Sequence, residues 1–214
     1  MTASDATGPA LADALVDAVR FLFDRGWSPG TGGNFSVVAS QDPLRLLITP
    51  SGADKGTVTA ADLITIDSAA DVVCGTGKPS AESLLHVAIV RKTGAASVLH
   101  THSIWNTVLS RRHAAQGELV ISGLEMLKGL AGVRTHEHCE AVPILPNSQD
   151  MVALSEQIEH ILTHSPACHG ILLAGHGLYT WGASVAEARR HVEIFEFLFE
   201  VVAHEPFNDA RRGG

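Results

Sequence analysis

His100 and His102 stand one residue apart at the end of an apolar run, "AASVL". On an extended strand, residues two apart point to the same face. Both imidazoles can then reach one cation, with Thr101 on the opposite face. A pair needs a third ligand, and His176 is the strongest candidate, held between two glycines in "LLAGHGLYTWG". Glycine permits close backbone approach there, although a polar hairpin tip would read the same way. Three nitrogen ligands with an open fourth position are the pattern of catalytic zinc. A rival set, His136, His138 and Cys139 in "THEHCE", lies in polar, loop-like surroundings and is expected to be solvated. His86 and His191 fall in predicted helices. His113, His160, His164, His169 and His204 fall near element ends, and all seven are expected to be structural or exposed.

Anion-binding groups come next. "GTGGNFS" and "ITPSG" are short Gly/Ser/Thr loops able to offer backbone N–H groups, and "KPSAES" places Ser80 at a predicted helix start. None is a Walker loop or a GxGxxG fingerprint, and turn chemistry accounts for each one singly. Three together suit a phosphate. Two carboxylates could move protons. Glu82 falls in the first turn of that helix, where the dipole favours negative charge. Glu125 lies among Leu124, Met126 and Leu127. Partial desolvation there would raise its pKa towards neutrality.

The elements that must position these groups are legible from periodicity. Leu11, Leu15, Val16, Val19, Leu22 and Phe23 recur at helical spacing, and Gly26 follows as a stop. A hairpin is expected over 34–39 and 44–49, with short strands at 63–66 and 72–74. A helix capped by Ser80 should run to Lys92, with Gly94 closing it. After the strand over 96–102, "SIWNTVLSRR" reads as helical, 118–121 and 141–145 as strands, and 151–162 as a helix. The strands 169–174 and 178–181 flank the Gly-His-Gly tip. Ser184 and Glu187 form a capping box that opens a long last helix to Ala203. Hairpins mixed with helices indicate one α/β sheet with helices on its faces.

With 214 residues, 45% hydrophobic and 18% charged, the chain reads as one domain with a sizeable core. Residues 1–8 and 206–214 are expected to be tails. A net charge of −8 argues against general nucleic-acid binding. No stretch approaches the roughly 18 apolar residues of a membrane span, and the first nine residues lack the pattern of a signal peptide. Cys74, Cys139 and Cys168 are scattered and odd in number, which fits a reducing cytoplasm.

The motifs "GTGGNFS", "ITPSG", "KPSAE", "VLHTHS" and "AGHGLYTWG", in this order over residues 30 to 182, resemble the class II aldolase/adducin family. The resemblance implies a three-layer αβα fold around a mixed, largely antiparallel sheet. It implies a homotetramer with sites near subunit interfaces, and one zinc ion per subunit on His100, His102 and His176. It also implies a sugar-phosphate substrate held at Gly33, Asn34, Ser51, Gly52 and Ser80. Ala81 departs from the aldolase pattern, where a second serine usually helps bind phosphate. Glu82 occupies the position of the aldolases' acid/base. "SGLEMLKGL" and "VPILPNSQD" resemble a dehydrating branch of the family, in which Glu125 matches the acid/base. A sugar-phosphate aldolase and an adducin-like binding module are the alternatives.

Overall fold

The computed structural model describes residues 8–205. The expected tails lie outside those residues, except Gly8, which opens the first helix. In chain order the elements are α1 (Gly8–Asp24), β1 (Asn34–Gln41), β2 (Leu44–Ile48), β3 (Ile64–Ile66), β4 (Val72–Cys74), α2 (Ser83–Thr93), β5 (Ser97–Thr101) and α3 (Ile104–Arg112). They continue with β6 (Glu118–Ser122), β7 (Cys139–Leu145), α4 (Met151–His164), β8 (Gly170–Leu173), β9 (Gly177–Gly182) and α5 (Val185–His204).

The strands form one sheet in the order β4-β3-β2-β1-β5-β9-β8-β7-β6. Every pairing is antiparallel except β7 with β8. That is the expected mixed, largely antiparallel sheet. Helices α2 and α4 pack on one face through Leu85, Ile89, Leu154 and Ile158, against Val98, Ile171 and Tyr179. The other face carries α1, α3 and α5, whose Leu15, Val19, Leu109 and Phe195 meet Leu99, Leu172 and Leu178. Val98 and Leu99 thus serve opposite cores, as strand alternation requires. His100 follows Val98 onto the α2/α4 face.

Helix starts differ from expectation at one informative place. Ser184 caps α5 as read and Ser103 caps α3, accepting from the N–H groups of Glu187 and Asn106. Helix α2, however, begins at Ser83 rather than beside Ser80, with Glu82 at the cap position and no side-chain cap bond. The Ser80 hydroxyl instead accepts from Glu82 N–H at 3.3 Å, closing a turn that precedes the helix. Burial of Leu85, Val87 and Ile89 anchors α2, each contributing about 1.5–3 kcal/mol. The Glu82 carboxylate is therefore free to point elsewhere from a fixed backbone.

Candidate active site

Register sets the floor of the site. Asn34 of β1 pairs with His100 of β5, which pairs with Tyr179 of β9. The three side chains form a row on one face. The His100 ring stacks on Tyr179, with centroids 3.9 Å apart. His102 lies just past β5, with its N–H donated to Trp27 O, and His176 sits in the β8–β9 turn.

Their Nε2 atoms converge, with His102 2.7 Å and His176 3.4 Å from His100 Nε2. His100 Nδ1–H donates to Leu178 O at 3.0 Å, and His176 Nδ1 faces Asn147 Oδ1 at 3.3 Å. The carbonyl partner places the His100 proton on Nδ1 and turns its Nε2 lone pair inward. Burial holds the His100 pKa well below its usual value and takes His102 down to about 4. Three imidazole nitrogens converging on one point are an arrangement that a cation can occupy. Tetrahedral zinc at its usual Zn–N lengths would set the nitrogens about 3.3 Å apart. The donor set fits such an ion.

Glycine makes the convergence possible. A Cβ on Gly177 would stand 2.3 Å from Thr101 O and 2.7 Å from His100 Cε1, and one on Gly33 would stand 2.5 Å from His100 O. Only the smallest residue lets these two loops close on the histidine strand.

Glu82 completes the cluster. Its carboxylate lies 3.1 Å from His176 Nε2 and 3.6 Å from His100 Nε2. Burial pushes its pKa up, but the His176 hydrogen bond, the neighbouring His100 and the Asn34 amide outweigh that and hold the carboxyl well below the usual range. Behind it runs a buried relay. Asn34 Nδ2 donates to Glu82, His86 Nε2 donates to Asn34 Oδ1, and Ser36 Oγ donates to His86 Nδ1 at 2.7 Å. Burial lowers His86 to about pKa 4, so it is neutral and serves as a fixed strut. The Asn34 side chain is thus turned to Glu82 and His86 rather than outward to an anion. His86, expected to be structural or exposed, is buried and braces the group beside the triad.

The loop residues assemble around Lys55. The residue is 1% exposed, and its ammonium donates to Thr31 O and Ala53 O, tying the first loop to the second. Ser51 N–H donates to Lys78 O, tying the second to the third. Gly33, Ser51, Gly52 and Ser80 therefore sit on neighbouring loops. Two carbonyls satisfy two of the three ammonium protons, and burial lowers the Lys55 pKa against the opposing pull of Asp54.

Glu125 behaves differently from expectation. A 3₁₀ turn over Glu125–Gly129 buries Leu127 and turns Glu125 out, with 69% of its side chain exposed. Lys128, at 2.6 Å, lowers its pKa through a hydrogen bond and its charge. The apolar setting that would raise it is absent. Three strands, β9, β8 and β7, separate β5 from β6, about 19 Å at ordinary strand spacing. The Glu125 turn also leaves the end of β6 that pairs with the start of β7, whereas Asn147 and His176 follow the far ends of β7 and β8. Within one chain, Glu125 does not reach the triad.

The sequence matches the class II aldolase and adducin N-terminal domain over residues 13–203. The chain belongs to that family. Among its relatives, methylthioribulose-1-phosphate dehydratase of Pectobacterium carotovorum is 46% identical over 188 residues, 87% of this chain and 90% of the relative. The enzyme of the same name from Pseudomonas aeruginosa is 46% identical over 192 residues, covering 89% and 92%. The fold recurs in the crystal structure of YgbL from Klebsiella pneumoniae, described as a putative aldolase/epimerase/decarboxylase, with TM-score 0.78 and 26% identity over 92% of this chain and 90% of that one. The class II aldolase fold and the αβα layering agree. Among the described residues no helix is long and apolar enough to cross a membrane.

Proposed function

We propose that this chain dehydrates 5-methylthioribulose 1-phosphate to 2,3-diketo-5-methylthiopentyl 1-phosphate in methionine salvage, as a cytoplasmic homotetramer with one zinc per subunit on His100, His102 and His176. The substrate assignment rests on 46% identity to dehydratases of that name. The observation that carries the site is the convergence of three imidazole nitrogens beside Glu82. A divalent cation held there supplies Lewis-acid polarisation of a ketone oxygen.

The protein's own groups do the rest. Backbone donors at Gly33 and Gly52, the hydroxyls of Ser51 and Ser80, and the remaining Lys55 proton hold the phosphate and fix the sugar's register. Glu82, kept anionic and braced by Asn34 and His86, orients the substrate hydroxyls without taking a proton. Glu125 takes the proton from the third carbon and returns it to the hydroxyl leaving the fourth. The C–H and C–O bonds break, water departs, and the resulting enol becomes the diketone. Because Glu125 lies across the sheet from its own triad, it serves the triad of a neighbouring subunit.

One observation favours a second reading, a sugar-phosphate aldolase: the carboxylate against the histidines is Glu82, at the aldolases' acid/base position. An adducin-like binding role has no need of the triad. The first test is metal-dependent turnover. Methylthioribulose 1-phosphate should be consumed by zinc-loaded protein, spared after chelation, and consumed again on adding zinc. Undiminished turnover in metal-free protein would overturn the proposal.

A further inference from the structure

We propose a second divalent-cation site, of the zinc type, formed by His138, Glu140 and His169 at the opposite end of the sheet from the first. It is independent of the function proposed above. His138, just before β7, and Glu140, its second residue, stand two apart, the same alternation that pairs His100 with His102, which leaves Cys139 on the other face. His169 immediately precedes β8, and the parallel pairing of β7 with β8 brings it alongside. His138 Nε2 lies 2.8 Å and His169 Nδ1 3.0 Å from Glu140 Oε2. The three ligand atoms all lie within 4.8 Å of one another.

The surroundings are those of a built site. Glu140 is 1% exposed, and its other oxygen accepts the His169 N–H at 3.0 Å, which aims Oε2 at both rings. His169 Nε2–H donates to Ala131 O at 2.8 Å, the backbone contact that orients metal-ligating histidines. Neighbouring groups are spoken for. His191 donates Nδ1–H to Trp181 O and accepts Ala131 N–H, and burial pushes the Cys168 thiol up to about 12, so neither competes. Both histidines line a cavity of about 950 Å³, which provides entry and room for a fourth ligand. Two histidines, one carboxylate and an open position make a recognised zinc donor set.

Without a cation, His169 donates from both nitrogens, as an imidazolium paired with Glu140. On metal binding His169 releases its Nδ1 proton and His138 moves its proton from Nε2 to Nδ1. The strand between His169 and His176 separates the two sites by roughly 20 Å, so their occupancies are separable.

The test is zinc titration of the full-length protein against a chromophoric chelator. Wild type should saturate at two ions per chain, His138→Ala at one, and His176→Ala at one through loss of the other ion. Glu140→Gln, closer in shape to the native side chain, should also lose the second ion. His136→Ala, a nearby exposed histidine, should keep both. Saturation of wild type at one ion would overturn the proposal, with the cluster then a structural ion pair. Retention of two ions by both His138→Ala and Glu140→Gln would overturn it equally.

Discussion

If Glu125 serves a neighbour's triad, two inactive variants should restore each other. Four strand spacings, about 19 Å, lie between β6 and the His100 strand β5, and Glu125 and His176 stand at opposite ends of β7. Glu125→Gln should lower turnover at least about 100-fold by removing acid–base assistance, and His176→Ala should lose the metal. In an equimolar mixed assembly, a working site needs its triad from the first variant and its carboxylate from the second. Random association gives that combination in about a quarter of sites, so activity should rise about 25-fold above the Glu125→Gln parent. The two variants, each with a different affinity tag, should be co-expressed, purified through both tags and assayed by single turnover with metal content measured. If every site were built within one chain, each would carry one lesion and nothing would be restored. Purified mixed assemblies no more active than their parents would refute the placement of Glu125.

Glu82→Gln should cost less than Glu125→Gln because its role is orientation, and the ratio of single-turnover rates checks this. Near-wild-type Glu125→Gln beside inactive Glu82→Gln would reverse the assignment and favour cleavage. Lys55→Met should raise KM for the phosphorylated substrate far more than it lowers kcat, and weaken competition by inorganic phosphate, because a uniformly binding cation is lost. Burial raises Glu196 to about pKa 7, with one oxygen unpartnered. Its folded pKa exceeds its unfolded value, so stability present below about pH 4.5 is lost as pH rises through 7, by on the order of 3 kcal/mol at most. Glu196→Gln should flatten the melting temperature across that window, and an unchanged slope would assign the dependence elsewhere.

The parts of the site carried by local geometry were legible in the sequence. Alternation placed His100 and His102 on one face, and glycines flanking His176 marked a close approach that Gly177 confirms against Thr101 and His100. Long-range pairings were not legible. His86 looked like any helical histidine because its partners, Ser36 and Asn34, lie 50 and 52 residues away. Glu140 and His169 are joined by the one parallel pairing in the sheet, which periodicity does not reveal. Glu125 was misread from its neighbours: an apolar flank implies burial only when the local turn faces the right way, and here the 3₁₀ turn gives the core to Leu127. Helix α2 was placed too early because Ser80 has the right chemistry for a cap but closes the preceding turn instead.

The central claim is that this metal site eliminates water from its sugar phosphate and leaves the carbon chain whole. Mass spectrometry of the product from zinc-loaded protein and methylthioribulose 1-phosphate tests it directly. One phosphorylated product is expected, lighter than the substrate by one water and retaining every carbon and the methylthio group. Two shorter fragments, one carrying the phosphate, would contradict it and make the chain an aldolase.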